Sequence, residues 1–119
     1  MEKRTYNSGG KFLWFFQRIS GFVLLLLLLL HIYLAHFTFQ SGAPTFAEVM
    51  NRLGDQYWKL FDLFFLYLAL FHGLNGFWTV VTDYFHKPLV KLTFFSLIVL
   101  CGLALAIFGT LTVVSLSSN

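Results

Sequence analysis

Three stretches of this sequence, residues 19–39, 63–81 and 92–116, contain no aspartate, glutamate, lysine or arginine. Each approaches or exceeds the ~20 residues with which an α-helix crosses ~30 Å of hydrocarbon. The 119-residue chain is 58% hydrophobic and only 11% charged, more apolar surface than a small soluble domain can hide. The expected fold is therefore an all-α membrane protein, a single domain over residues 1–119. Its three transmembrane helices fall at about residues 13–39, 58–84 and 89–115.

These proportions exclude several functions. The lone cysteine, Cys101, lies inside the third apolar run, so the chain neither holds an iron-sulfur cluster by itself nor closes an internal disulfide. No Gly-x-Gly-x-x-Gly or phosphate loop is present, and the polar residues are too few for a flavin or nucleotide domain. Any substrate chemistry belongs to a partner, and the chain is not a catalyst alone. Its net charge of +3 comes from lysines and arginines at the ends of the apolar runs, where lipid headgroups account for them, so no nucleic-acid partner is expected.

Residues 1–10 are polar, with Glu2, Lys3, Arg4 and a Ser-Gly-Gly break, and carry neither a cleavable signal nor a transit pattern. They read as a retained cytoplasmic tail. Lys11, Trp14 and Arg18 then mark an interface. In the connection after the first span, Thr45 followed by Glu48 matches a capping box, and Phe46, Val49, Met50 and Leu53 recur at helical spacing. That pattern predicts a short interfacial helix at about residues 45–53. Tyr57, Trp58 and Lys59 collar the second span, and Pro88 forces a tight turn into the third. Lys3, Arg4, Lys11, Arg18, Lys87 and Lys91 fall on one side, against Arg52 and Lys59 on the other. The positive-inside rule places the N-terminus and the second turn in the cytoplasm and the C-terminus opposite.

Polar side chains within a span are functional hypotheses, because an unsatisfied one costs several kcal/mol. His72 lies midway along the second span, where a neutral imidazole can give one axial bond to a haem iron, with Gly73 and Gly76 clearing the surface for a porphyrin or a neighbouring helix. The alternative is a histidine hydrogen-bonded across helices to Tyr, Ser or Asn. His31 and His36, five residues apart, point about 140° apart on a helix. Counted inward from Arg18 and Tyr84, His31 and His72 reach a common layer, with His36 nearer the far interface. Asp83, Tyr84, Arg18 and Ser20 offer a carboxylate, a phenol, a guanidinium and a hydroxyl near the cytoplasmic edge, suited to quinone carbonyls and proton delivery. Snorkelling and aromatic anchoring are the commoner roles of Arg and Tyr at such positions. Asp62 is the least expected charge, at the far edge of the second span, where it reads as an interfacial, solvated carboxylate. Trp78 reads as packing, His86 as solvated and the third span, with Gly102, Ala104, Ala106 and Gly109, as a packing helix.

The stretch from His72 through Gly76 to Asp83 and Tyr84, followed by Lys87-Pro88 and a featureless third helix, resembles the D-type hydrophobic membrane anchor of succinate dehydrogenase, respiratory complex II. Gln17-Arg18-Ile19-Ser20-Gly21 is similar to the Arg-x-Ser/Thr-Gly start of the first helix in membrane anchors of both the C and the D type. The resemblance implies that His72 is one axial ligand of haem b, the other coming from a companion membrane anchor of the C type packed in the same bundle. It implies that Tyr84 hydrogen-bonds ubiquinone or menaquinone, that Asp83 supports proton delivery, and that Arg18 and Ser20 join that site. A flavoprotein subunit would oxidise succinate and an iron-sulfur subunit on the cytoplasmic face would pass electrons to quinone, in the inner (cytoplasmic) membrane of a prokaryote. His31 and His36 leave the haem count at one or two, either histidine being the second ligand. Three rival readings stand beside this one: the same anchor working as a quinol:fumarate reductase, the C-type companion itself, and a non-redox small membrane protein with structural histidines. The Asp83-Tyr84 pair argues against the second.

Overall fold

A computed structural model describes residues 8–37 and 43–115, and every regular element among them is an α-helix. In chain order these are α1 (Ser8–Phe37), α2 (Phe46–Gly54), α3 (Gln56–Tyr84) and α4 (Pro88–Ser115). The tail expected before residue 8 and the C-terminal residues after 115 lie outside the described residues. Three stretches are long and apolar enough to span a bilayer: Gly10–Phe37, Gln56–Tyr84 and Pro88–Ser115. At 28 or 29 residues each they measure roughly 42 Å, so their ends reach into the headgroup layer or the helices tilt.

The break expected at Ser-Gly-Gly is instead the first turn of α1. A glycine costs a helix about 1 kcal/mol relative to alanine, which lowers the preference for helix without forbidding it. Thr45 caps α2 as the capping box requires: its hydroxyl oxygen accepts from the Glu48 backbone N–H at 3.3 Å, and its own N–H donates to Glu48 Oε2 at 2.7 Å. These bonds hold the Glu48 carboxyl below its usual range, the Thr45 backbone N–H contributing most. Asp55 then serves two helices. Its backbone N–H closes α2 on the Arg52 carbonyl, and its side chain accepts from the Tyr57 N–H at 2.9 Å to open α3, so one residue turns the chain from surface helix into span. At the other end Pro88 occupies the first position of α4, where its missing N–H has no helical partner to lose.

α3 is the central helix and packs against each of the other three. Against α4 the approach rests on two glycines: a Cβ on Gly102 would lie 2.6 Å from Leu74 Cδ1, and one on Gly109 2.6 Å from Leu66 Cδ2. In the same seam the Tyr67 and Thr110 hydroxyls pair at 2.5 Å, and Trp78 meets Phe95 edge to face. This is the packing role expected of the third span. Few side chains are buried within the single chain, Ser20, Leu53, Val81 and Ile98 among them, while Phe12, Phe22, Leu29, Leu100 and Phe108 lie largely exposed. In a bilayer such faces meet lipid or other membrane chains rather than water.

Candidate cofactor site

The seam between α1 and α3 is built from two matching stripes. Gln17, Ser20 and Gly21 stand at positions i, i+3 and i+4 of α1, and His72, Asn75 and Gly76 repeat that spacing on α3. Run antiparallel, each glycine meets the other helix's first polar residue. A Cβ on Gly21 would sit 2.9 Å from His72 Cε1, and one on Gly76 3.0 Å from Gln17 Nε2, so neither position admits a larger residue without displacement. The Gln17 amide donates to the His72 carbonyl at 3.0 Å and accepts from Asn75 Nδ2 at 2.8 Å. Ser20, only 1% exposed, places its Oγ 3.0 Å from His72 Nδ1 and 2.9 Å from the Gln17 carbonyl. Phe16 packs edge to face on Phe71 beside them.

His72 is thus hydrogen-bonded across helices, as the structural alternative anticipates, but through one nitrogen only. No described residue hydrogen-bonds Nε2. Beside it Gly73 has nothing within 4 Å of its would-be Cβ, an open surface next to the ring. A half-buried imidazole cradled on a glycine, pinned at one nitrogen and free at the other, fits an axial ligand to haem.

Depth differs from expectation. Because His72 pairs with Ser20, it does not share a layer with His31, which stacks instead on Phe65 (5.4 Å between centroids) and Phe61 (6.3 Å). By the same register Arg18 and Ser20 lie far from Asp83 and Tyr84. The twelve residues between His72 and Tyr84 amount to roughly 18 Å of helix, and Tyr84 comes level with the start of α1. Arg18 is exposed, its guanidinium 4.2 Å from the Trp14 ring centroid. Asp83 and Tyr84 are exposed together at the end of α3, with His86 exposed just beyond. Of the four residues expected at the quinone site, the fold therefore keeps two together and brings Ser20 to His72.

A second polar cluster lies at the opposite end of the α1–α3 seam. Asp62 is not solvated at the interface but only 17% exposed, and accepts from Arg52 Nη2 of α2 at 2.7 Å. The Arg52 guanidinium also lies over Trp58, 4.6 Å from the ring centroid. His31 Nδ1 stands 4.0 Å from the same Asp62 oxygen, buried and without a hydrogen bond, as is Arg52 Nε. Val49, Leu53, Phe65 and Val113 complete the walls of a cavity of about 300 Å³ here. His36, by contrast, is exposed and among the described aromatic rings touches only Phe37. The Arg52–Asp62 bond fastens α2 to the span. Asp62→Ala should cost about 1–3 kcal/mol and loosen α2, read as faster maleimide labelling of a Val49→Cys reporter. Asp62→Leu combined with Arg52→Met should return labelling to the slow rate, since neither charge is then left alone. Equal labelling in all three would show that the ion pair fastens nothing.

Sequence reasoning missed Gln17, Asn75 and Arg52 as participants and gave Ser20 another role. The signal for the first seam was available in the repeated polar-x-x-polar-Gly spacing of the two helices.

Against this arrangement, a family profile described as succinate dehydrogenase/fumarate reductase transmembrane subunit matches residues 3–111. The chain belongs to that family. Two similar archaeal proteins are each named succinate dehydrogenase hydrophobic membrane anchor subunit. One, from Thermoplasma acidophilum, is 37% identical over 82 residues, 69% of this chain and 64% of that protein. The other, from Archaeoglobus fulgidus, is 31% identical over 70 residues, 59% of each chain. The matches thus span somewhat under two thirds of the length of these relatives.

Proposed function

We propose that the chain is a membrane anchor subunit of a prokaryotic succinate:quinone oxidoreductase, that His72 is an axial ligand of its haem b, and that Tyr84 and Asp83 contribute to its quinone site. The observation that carries the haem assignment is the His72 ring itself, cradled on Gly21 and held through Nδ1, with Nε2 hydrogen-bonded by no described residue. Haem b, when bound, supplies a one-electron store whose potential its axial ligands tune. Arg18, exposed two residues before Ser20, is the cation nearest that depth for the porphyrin carboxylates. Tyr84 donates its phenol hydrogen to a quinone carbonyl, and Asp83 accepts and hands on protons at the membrane edge. Both face the side on which a flavoprotein and an iron-sulfur subunit dock, with the N-terminus cytoplasmic and a companion anchor against the open face beside Gly73. Where the complex carries two haems, the second ligand from this chain is His31 rather than His36, because only His31 holds a buried ring nitrogen without a hydrogen bond. Both relatives carry the succinate dehydrogenase name, which favours quinone reduction over fumarate reduction as the working direction.

Purification from native membranes through a tag on this chain tests the reading. Flavoprotein and iron-sulfur subunits should copurify, and a dithionite-reduced minus oxidised spectrum should show a b-type α-band; a colourless chain without those subunits overturns it. Tyr84→Phe should lower quinone reduction about tenfold, the worth of one hydrogen bond of about 1.5 kcal/mol, while succinate oxidation with a soluble acceptor is unchanged. Equal losses in both assays would instead mean that Tyr84 holds the subunits together.

A further inference from the structure

We infer that Ser20 is a positioning residue for the His72 ligand: its hydroxyl takes the Nδ1 proton in a hydrogen bond and so fixes the tautomer in which Nε2 carries the free lone pair. The inference rests on His72 being the haem ligand. It follows from counting hydrogens. A serine hydroxyl has one O–H and two acceptor positions, and a backbone carbonyl has no hydrogen to give. Ser20 Oγ lies 2.9 Å from the Gln17 carbonyl, so that contact uses the O–H. The one O–H satisfies both contacts when the remaining one, 3.0 Å to His72 Nδ1, has Oγ accepting and Nδ1 carrying the proton. In neutral imidazole the other nitrogen is then bare.

The surroundings allow few alternatives. Ser20 is 1% exposed, so no water competes for its lone pairs, and the ring is backed against Gly21 and cannot turn over without meeting α1. Gln17 fixes the backbone on which the ring hangs, by its bond to the His72 carbonyl, and is itself held by Asn75. Three side chains of the α1–α3 seam thus specify one ring orientation and, for the neutral ring, one tautomer before any metal arrives. A hydrogen bond from Nδ1–H also makes the imidazole a better donor to iron, which favours the ferric state. Ser20 therefore belongs to the ligand's support and not to the quinone site.

The test uses the intact complex with Ser20→Ala, Ser20→Cys and Ser20→Thr, read by haem midpoint potential, low-spin electron paramagnetic resonance and haem per flavin, with His72→Ala alongside. Threonine keeps the acceptor, and its complex should match the native one. Alanine and cysteine remove or weaken it. Both should shift the haem potential upward, change the low-spin g-values and weaken haem retention about 10–100-fold, while succinate oxidation with a soluble acceptor stays at the native level. Where alanine prevents assembly, the near-isosteric cysteine against threonine gives the same comparison. Native potential and g-values in the cysteine and alanine complexes, with the band lost in His72→Ala, would overturn the role of Ser20 alone. A full b-type band in His72→Ala would overturn the ligand assignment on which it stands.

Discussion

His72→Ala should abolish the α-band of the haem proposed to sit on this residue while leaving the flavoprotein and iron-sulfur subunits able to oxidise succinate with a soluble acceptor. As the proposed ligand, the imidazole would supply one bond to the iron, and without it the haem would turn high-spin and be loosely held. The substitution also empties a ring-sized space lined by Ser20 and Gly21, so free imidazole added to the alanine complex should restore a low-spin spectrum. Restoration distinguishes loss of a ligand from collapse of the fold, because a collapsed seam would have no such space. His36→Ala should be silent, its ring being exposed. His31→Ala separates the two haem counts: a fractional loss of absorbance marks a second haem, and an unchanged band marks one. A band retained in full in His72→Ala would mean that the geometry of the seam serves only helix packing.

Charge and hydropathy alone disclosed the helices. The three uncharged runs fall within α1, α3 and α4 apart from residues 38, 39 and 116, which lie outside the described residues, and Thr45 with Glu48 placed α2 to within a residue because a capping box is a local arrangement that needs no tertiary partner. Depth was not disclosed. Counting inward from Arg18 and Tyr84 to bring His31 and His72 to one layer assumes that those two starting points are level, whereas the seam sets Ser20 beside His72 and Tyr84 level with the start of α1. Register is set by shape, by which side chain a missing Cβ admits, and that is a property of two helices together. Gly21 and Gly76 each make sense only once the opposing His72 and Gln17 are in place. Asp62 shows the same limit in electrostatic form. A carboxylate at the edge of an apolar run reads as solvated until Arg52 arrives from α2, and no spacing rule links residues across that turn. Tyr84 and Asp83 stand at the end of their helix as expected, because a charge and a phenol closing an apolar run coincide with its boundary.

Gly21→Val should cause most of the haem loss of His72→Ala without touching the ligand itself. The first added carbon would stand 2.9 Å from His72 Cε1, inside van der Waals contact, and the two valine methyls extend further. The ring cannot yield freely, since moving off α1 lengthens the 3.0 Å bond to Ser20, and forcing extra carbons into a packed seam costs about 1–3 kcal/mol. Gly21→Ala, one methyl, should displace the ring by a few tenths of an ångström and give a retained but shifted low-spin signal. Gly73→Val supplies the contrast, because its first added carbon would meet nothing within 4 Å in this chain. If only Gly21→Val loses haem, the determinant is the cradle behind the ring. If Gly73→Val loses it as well, the open surface in front of His72 is where porphyrin or the companion helix lies, and the two glycines bound the ligand from opposite sides. Native spectra in both would show that the α1–α3 seam has room to relax, and that the close approach of Gly21 to the imidazole does not govern the iron.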